Sequence, residues 1–463
     1  MLRSRLKLVV GIAFTTGATA VAGCAAIAGV SDFAVDPCFD PGPGCADGQV
    51  VTDGSSTDTS STTDGPGPDL DGGLDAADAS RPVSVADSVV TLSATGVAIG
   101  KTVTATLAAK DTTAGGGAPL VGIASRITFT MKGGTSVVTF GAVVDAGNGN
   151  YTTVVTGVTE GTPLDISATV DGAALTSVAP KLEVGRVTAG LTFALDAANA
   201  DRLGNFGGKD CPATGLATWS DLVKTTVSGT LTNFGDVCTG TGGWAGIGTP
   251  ANPYRLMFNG VDDHVDFGAV NSLKKQTVLA WIRKTAAGTE SMTSGTGGFG
   301  DPVTGLPTVV PVITKGTNEG EGDDVDINYY LGITTTTGVL ASDYEYVAGA
   351  TSPAAPMMGA TPIVLSAWTM IGMTLDYADG KRVLYINANI DATSVPPGEP
   401  RTGAMSKLTV GASRRVNGVL SGQGAFAGDI ALVLTYDRAL TKAEIERNCH
   451  TFKTRFAGLT CPN

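Results

Sequence analysis

The stretch Leu256-Met-Phe-Asn-Gly-Val-Asp-Asp-His-Val-Asp-Phe267 decides the fold of the C-terminal half of the chain. On either side of its Asn-Gly pair, apolar residues alternate with polar ones, at Leu256 and Phe258 and again at Val265 and Phe267. A period of two is typical of strands that bury one face, and Asn-Gly favours a turn. The stretch therefore predicts two strands whose aromatic side chains lie in the core of two packed sheets.

Three further blocks of this kind follow along the sequence. Gln276–Arg283 has a tryptophan between apolar residues, and Trp368–Asn387 predicts two strands joined by an Asp-Gly turn. Phe426–Ile445 includes Thr441-Lys-Ala-Glu444, a capping box that predicts the start of a short helix. All three blocks extend the prediction of an antiparallel sandwich.

In this order the four blocks resemble the laminin-G-like and concanavalin A-like jelly-roll domains, which share an F-[DN]-G-x-x-D block and a closing Y-x-R-x-L-[ST]-x-x-E-I. The resemblance spans residues 188–458 and leaves 459–463 as a C-terminal tail. Asn387-Ala388 departs from the pattern, because a turn glycine is usual there. Insertions at 285–311 and 346–362 fall at the loop ends of such a sandwich, where ligands bind.

Residues 82–185 alternate in about seven short runs with Gly or Asn-Gly breaks, which predicts another β-sandwich. The segments Asp145–Val154 and Thr159–Val170 resemble the end of invasin-type or filamin-type immunoglobulin-like domains, which usually act as spacers. Sixty-four glycines and a charged fraction of 16% also favour β-structure with tight turns. We therefore expect an all-β chain: an immunoglobulin-like β-sandwich followed by a concanavalin A-like jelly roll.

Residues 1–23 have a basic start, an apolar stretch and small residues before a cut site, as in a secretory signal peptide. Val21-Ala22-Gly23-Cys24 resembles the lipobox of bacterial lipoproteins, which implies that Cys24 carries the lipid. An ordinary signal peptide with an incidental cysteine is the alternative. Residues 24–81 have almost nothing to bury and no cation before Arg81, so they predict a disordered acidic linker. These features predict a lipid-anchored protein of the cell envelope, at the outer membrane or cell surface.

The net charge of −13 argues against nucleic acid as a partner. Removing Cys24 leaves six cysteines, an even number suited to disulfides in an oxidising compartment. Proximity in sequence suggests the pairs Cys38–Cys45, Cys211–Cys238 and Cys449–Cys461, among several possible connectivities. Zinc is disfavoured, because the histidines, His264 and His450, lack ligand spacing.

Catalysis has little support in the sequence, and we predict no catalytic residue. A glycosidase needs two carboxylates, and the nearest run, Asp324-Val-Asp326-Ile-Asn328, has an amide in place of the third acid. No G-x-S-x-G elbow accompanies the two histidines. A glycoside hydrolase and a purely structural envelope protein remain the alternatives to a binding protein.

Binding of a glycan or a surface protein is the function we expect, with calcium as a possible cofactor. Relatives of the laminin-G-like type often hold calcium, which here implies Asp262, Asp263 and Asp429 as ligands. Further oxygen ligands would come from the acidic loop of Glu319, Glu321, Asp323 and Asp324, although a solvated loop is the simpler interpretation. Trp244 is the aromatic residue we expect to stack on a sugar, with Trp219 and Tyr344 as lesser candidates.

Overall fold

Alternating apolar residues build two consecutive β-sandwiches in this chain. The computed structural model describes residues 81–113, 116–211, 215–238, 242–293, 297–318, 326–349, 352–403, 405–415 and 424–462. The predicted signal peptide, Cys24, Cys38, Cys45 and nearly all of the acidic linker lie outside the described residues. The all-β class is confirmed in the part that is described.

The first sandwich has ten strands: β1 (Val89–Leu92), β2 (Gly96–Val97), β3 (Thr102–Ala108), β4 (Ile127–Lys132), β5 (Val137–Phe140), β6 (Val144–Gly147), β7 (Asn150–Thr159), β8 (Leu164–Val170), β9 (Ala173–Ala174) and β10 (Lys181–Val184). They form two five-stranded sheets: β1-β3-β7-β5 with β6 also on β7, and β2-β10-β8-β4 with β9 also on β8. Leu107, Tyr151, Ile166 and Leu182 are among the core side chains without solvent exposure. The likeness to invasin-type or filamin-type domains stays a prediction.

The second sandwich has two eight-stranded sheets. Its strands are β11 (Leu191–Asp196), β12 (Thr218–Ser220), β13 (Ser228–Thr232), β14 (Gly243–Ala245), β15 (Arg255–Asn259), β16 (His264–Gly268), β17 (Gln276–Lys284), β18 (Val309–Lys315), β19 (Thr317–Asn318), β20 (Tyr329–Thr334), β21 (Val339–Asp343), β22 (Met357–Pro362), β23 (Trp368–Asp376), β24 (Lys381–Ile386), β25 (Asn389–Ser394), β26 (Leu408–Val410), β27 (Arg414–Arg415) and β28 (Ala427–Tyr436). One sheet has the order β14-β15-β28-β17-β23-β24-β25, with β11 also on β28. The other has the order β12-β13-β16-β26-β18-β20-β21-β22, and β19 pairs with β27 apart from both.

The stretch Leu256–Phe267 passes from one sheet to the other. Strand β15 pairs with β14 and β28, whereas β16 pairs with β13 and β26 in the opposite sheet. Leu256, Phe258, Val265 and Phe267 all enter the core between the sheets, as the alternation predicted. This crossing explains why so short a segment contributes to both layers.

The predicted turn and helix are also present. Strands β23 and β24 pair from Asp376↔Lys381, which confirms the hairpin at the Asp-Gly turn. At the next turn Asn387 and Ala388 both have positive φ, of 50° and 65°, a conformation that favours glycine. Helix α1 (Lys442–Lys453) begins with the predicted capping box, because Thr441 accepts from the Glu444 amide and Glu444 accepts from the Thr441 amide.

Helix α1 covers the outer face of the sheet that contains β17 and β28. Its buried residues Ile445, Cys449 and Phe452 pack with Trp281 and Leu434. The Trp281 and Phe452 rings meet edge to face, 5.1 Å apart. Within the described residues, no helix has the length and hydropathy needed to cross a lipid bilayer.

Candidate functional site

A polar pocket opens where four loops of the second sandwich meet at one end. The strand ends lie in register there, since Lys315 pairs with both Tyr329 and Leu408, and Gly268 also pairs with Leu408. The loops on these strands therefore converge although they are far apart in sequence. The cavity holds about 210 Å³, and its described lining is Lys274, Asp326, Val347 and Glu399–Gly403.

Two ion pairs bring opposite charges into this pocket. At the rim, Lys274 Nζ lies 2.8 Å from Glu399 Oε1, and both side chains are exposed. Deeper in, Arg401 Nε lies 3.7 Å from Asp326 Oδ2, and only 8% of the Asp326 side chain is exposed. Exposed pairs contribute about 0–1 kcal/mol to stability, so the rim pair is readily displaced by a ligand. In the deeper pair, Asp326 is much less exposed than Glu399.

Asn328 fixes the two loops that carry the cations. Its Oδ1 accepts from the Leu273 amide at 2.8 Å, and its Nδ2 donates to the carbonyls of Leu273 and Arg401 at 2.8 and 2.5 Å. Gln276 Nε2 donates to the Asn328 carbonyl at 2.9 Å. All these groups are buried or nearly so, so the amide positions Lys274 and Arg401 without lining the pocket itself.

Asp326 is held from behind by a second set of buried polar groups. Ser406 Oγ donates to the Asp326 carbonyl at 2.8 Å, and Ser352 Oγ donates to its carboxylate at 3.4 Å. The Arg401 amide donates to the carbonyl of Glu345 at 2.8 Å, and Glu345 Oε2 accepts from the Ile327 amide at 2.5 Å. These bonds fix the backbone on both sides of the Asp326–Arg401 pair.

Lys315 is a buried cation beneath this set of bonds. Its ammonium donates to the Ser406 carbonyl at 2.5 Å, and 1% of the residue is exposed. Loss of hydration on burial lowers the pKa of Lys315 to about 8. The amine therefore keeps most of its positive charge at pH 7 and contributes to the electrostatic field below Asp326.

The aromatic residues expected to stack on a sugar are buried, and that prediction is wrong. Trp219 and Trp244 meet edge to face, 5.4 Å apart, and Trp244 Nε1 donates to the Leu216 carbonyl at 2.7 Å. The loop around Trp244 packs because Gly207 leaves room for the indole: a Cβ at Gly207 would lie 2.0 Å from the ring. Tyr344 is likewise buried and donates its hydroxyl to the Gly398 carbonyl at 3.1 Å.

Asp429, predicted as a calcium ligand, is instead committed to two arginines. Its carboxylate oxygens lie 2.5 Å from Arg283 Nε and 3.3 Å from Arg255 Nε. Burial raises the pKa of Asp429, and the two guanidinium groups oppose that rise. A carboxylate paired in this way on the outer face of a sheet is not a ligand available to a hard cation.

The other predicted calcium ligands do not join Asp429. Asp262 Oδ1 accepts from Asn259 Nδ2 at 3.0 Å, and Asp263 Oδ2 accepts from the Asn259 amide at 2.9 Å. Both aspartates thus hold the turn after β15. Nowhere in the described residues do three or more His, Cys, Asp or Glu side chains form a group that could hold a metal ion. Glu319, Glu321, Asp323 and Asp324 lie outside those residues.

In the run proposed for a glycosidase, the described residues Asp326 and Asn328 are not part of a strand, and Asp324 lies outside the described residues. Strand β20 begins only at Tyr329, so Asp326 and Asn328 precede it. Asp326 lines the pocket, whereas Asn328 points into the protein and binds backbone groups. The two carboxylates that the pocket does bring together are Asp326 and Glu399, and only the first was a candidate from sequence.

Two of the predicted disulfides are present, Cys211–Cys238 and Cys449–Cys461. The first joins two loops beside Trp244, and the second joins α1 to the C-terminal tail. Lys274, Glu399 and Arg401 escaped the sequence analysis. Their signal was weak: they are loop charges outside any motif, and two of them, Glu399 and Arg401, lie in the run Pro396-Pro-Gly-Glu-Pro-Arg401.

Comparison with protein families supports the fold of the second sandwich. A laminin G-type model of the concanavalin A-like lectin/glucanases superfamily matches residues 259–446. This range runs from the end of β15 into α1, and it confirms the concanavalin A-like domain predicted there. No curated protein matches the chain.

Three solved structures illustrate the degree of structural similarity. Domain 4 of the extracellular arabinanase AbnA from Geobacillus stearothermophilus, in complex with arabinotriose, is 17% identical over 56% of this chain and 97% of its own, with a TM-score of 0.32. The Ruminococcus gnavus IT-sialidase CBM40 bound to α2,3-sialyllactose is 15% identical over 38% and 82%, with a TM-score of 0.28. The heptameric SAP-like pentraxin of Limulus polyphemus is 14% identical over 41% and 79%, with a TM-score of 0.30. Such distant likenesses say nothing about the ligand of this chain.

Proposed function

We propose that the second sandwich binds carbohydrate without altering it, and that the pocket of Lys274, Asp326, Glu399 and Arg401 is the binding site. The observation that carries the proposal is the convergence of two carboxylates and two cations from three loops. Every sugar hydroxyl both donates and accepts hydrogen bonds. Carboxylates supply the acceptors, and ammonium and guanidinium groups supply the donors.

The buried bonds behind the pocket support a binding role. A ligand is held most tightly by groups that are already fixed in place, because their ordering then costs little on binding. Asn328 and Glu345 fix the backbone on both sides of the pocket through five hydrogen bonds. The family match adds that this fold belongs to a superfamily named for lectins and glucanases.

A binding assay with paired variants tests the proposal. We expect the full chain to retain one or more members of a neutral and charged glycan panel, and the double variant K274A/E399A to lose about tenfold or more in affinity. Both side chains are exposed, so the variant should fold. The matched control, K181A/D165A, removes an exposed ion pair of the first sandwich and should bind like the wild type.

Several results would overturn this function. Binding that survives K274A/E399A and is lost on changes elsewhere would show that the site lies elsewhere. A panel in which no glycan binds would reject carbohydrate binding. Release of new reducing ends on incubation would favour the glycoside hydrolase, with Asp326 and Glu399 as its carboxylates. Repeating the assay with calcium and then with a chelator tests the cofactor expected from the family resemblance.

We further propose that the chain is attached to the cell envelope through lipid on Cys24. The lipobox Val21–Cys24 supports the lipid, and two disulfides agree with an oxidising compartment. Expression in a bacterial host should place the wild type in the membrane fraction and the C24S variant in the soluble envelope fraction. Mass spectrometry of the N-terminal peptide should find diacylglycerol on Cys24, and an unmodified cysteine there would reject the anchor.

A further inference from the structure

We infer that the pocket takes a single neutral sugar ring at the end of a glycan chain, and not a stretch of polysaccharide or an acidic sugar. The inference rests on the proposed function and narrows it to a class of ligand and a mode of binding. It follows from the size of the cavity, from the bonds that fix its walls and from the balance of its charges.

The size of the cavity limits the ligand. Pockets for drug-sized ligands measure about 300–1,000 Å³, and this cavity holds about 210 Å³. At about 30 Å³ for each water, the cavity holds about seven waters. One six-membered ring with its hydroxyls displaces a similar number of waters, so the volume matches one ring.

The walls are fixed, so the pocket does not widen into a groove. The Val347 amide donates to the Glu399 carbonyl at 3.0 Å, and the Arg401 amide donates to the Glu345 carbonyl at 2.8 Å. On the other side, Asn328 joins Leu273 to Arg401. The pocket could widen along either wall only if some of these hydrogen bonds broke.

The balance of charge selects a neutral ligand. Among the described lining residues, Lys274 and Arg401 offset Asp326 and Glu399, so the pocket has no net charge of its own. A carboxylate or an ammonium group on the sugar would meet both signs of charge in this lining and gain no net attraction from it. A charged group would therefore lose its hydration without full compensation. Neutral hydroxyls avoid this penalty and satisfy groups of both kinds.

Apolar contact is available on one wall only. Val347 and Pro400 are the apolar side chains of the described lining, and that lining has no aromatic residue. They can cover one CH face of a ring while its hydroxyls meet the charged side chains. Without a stacking platform, we expect affinity in the millimolar to high micromolar range.

Calorimetry with the full chain tests the inference. The ligands are a neutral oligosaccharide identified in the glycan panel, its series of one to five residues, and versions that end in a uronate or an amino sugar. We expect the affinity to change less than about threefold beyond the first residue, and each charged terminus to weaken binding by about tenfold or more. E399Q should lower affinity for the neutral ligand and raise it for the uronate, because the repelling carboxylate is gone. E290Q, an exposed change in the loop after β17, should alter neither value.

Each opposite result has a definite meaning. Affinity that rises about tenfold with every added residue would show a groove, and tighter binding of the uronate would show an anion site. Either outcome overturns the inference and leaves carbohydrate binding intact. If no member of the series binds, the proposed function fails together with it.

Discussion

The guanidinium of Arg447, in α1 of the second sandwich, lies 2.8 Å from the carboxylate of Glu183, in β10 of the first. Both side chains are about nine-tenths buried. Arg447 also donates to the carbonyls of Gly185 and Arg186, at 2.6 and 3.0 Å. The residue after it, Asn448, accepts from the Val187 amide at 2.9 Å. The segment 185–187, which connects the two sandwiches, is therefore hydrogen-bonded to helix α1.

This relationship predicts a large effect of R447A. Removing one partner of a buried ion pair leaves the other charge without compensation and costs about 3–5 kcal/mol. We expect R447A to lower the free energy of unfolding in urea by about 3 kcal/mol and to broaden the solution X-ray scattering profile as the two sandwiches gain freedom. K453A, an exposed change on the same helix, is the control. Unchanged stability would mean that the pair contributes nothing at the junction.

Gly96 provides the space that Arg447 occupies. A Cβ at Gly96 would lie 1.8 Å from Arg447 Nη1 and 2.5 Å from Cζ, so G96A must displace the guanidinium. We expect G96A to destabilise the wild type by about 1–3 kcal/mol, as overpacking does, and to cost less than about 0.5 kcal/mol in the R447A background. A double-mutant cycle from urea unfolding measures this. Additive effects would show that the glycine is needed for another reason.

Local signals in the sequence were sufficient for the strands and the helix cap, but not for contacts across the fold. The alternation at Phe258 and Val265 and the Thr441–Glu444 box depend on neighbours within a few residues, so a single sequence reveals them. The partner of Arg447 lies 264 residues away. Nothing in the spacing of charges indicates such a pair.

The candidate site was hidden for the same reason. Lys274, Asp326 and Arg401 meet because strand register brings three loops together, and register is a property of the folded sheets. For Trp244 the error was the reverse: the sequence predicted a ring available to a ligand, and the ring is buried. Its glycine-rich surroundings are typical of an open loop, but Gly207 faces the indole and lets it pack into the core. A ring's exposure depends on what lies opposite it, which the local sequence does not contain.

The Cys449–Cys461 bond predicts a measurable contribution to stability. It joins the buried end of α1 to the tail across a separation of 12 residues, next to Phe456 and Leu459 in the core cluster. Closing a loop of this length stabilises the folded state by about 3 kcal/mol in the chain-entropy treatment. C449A/C461A should therefore unfold at a lower temperature than the wild type. Adding reductant should then lower the melting temperature of this variant less than that of the wild type, and an equal shift in both would contradict the prediction.

Asp263 predicts how stability depends on pH. It is buried in the turn after β15, and loss of hydration raises its pKa to about 6, with the nearby charge of Asp262 adding to the rise. An aspartate in the unfolded chain has a pKa near 3.9. Between about pH 4 and pH 6 the folded protein therefore holds a proton that the unfolded chain releases. Stability is highest at the acidic end of this window and falls as pH rises through 6, by up to about 1.4 kcal/mol per pH unit for this group.

Substitution by asparagine separates this effect from other titrations. Burial also raises the pKa of Asp343 to about 6, so D263N should remove only part of the slope. Carboxylates with lowered pKa, such as Asp171 and Glu444, lose their contribution to stability only below about pH 4. They therefore leave the slope of stability between about pH 4 and pH 6 unaffected. Urea unfolding from pH 4 to 7 should give D263N a shallower slope and, at pH 7, greater stability than the wild type. D210N, an exposed change outside this turn, is the control, and equal slopes in D263N and the wild type would show that the Asp263 carboxyl does not titrate in this range.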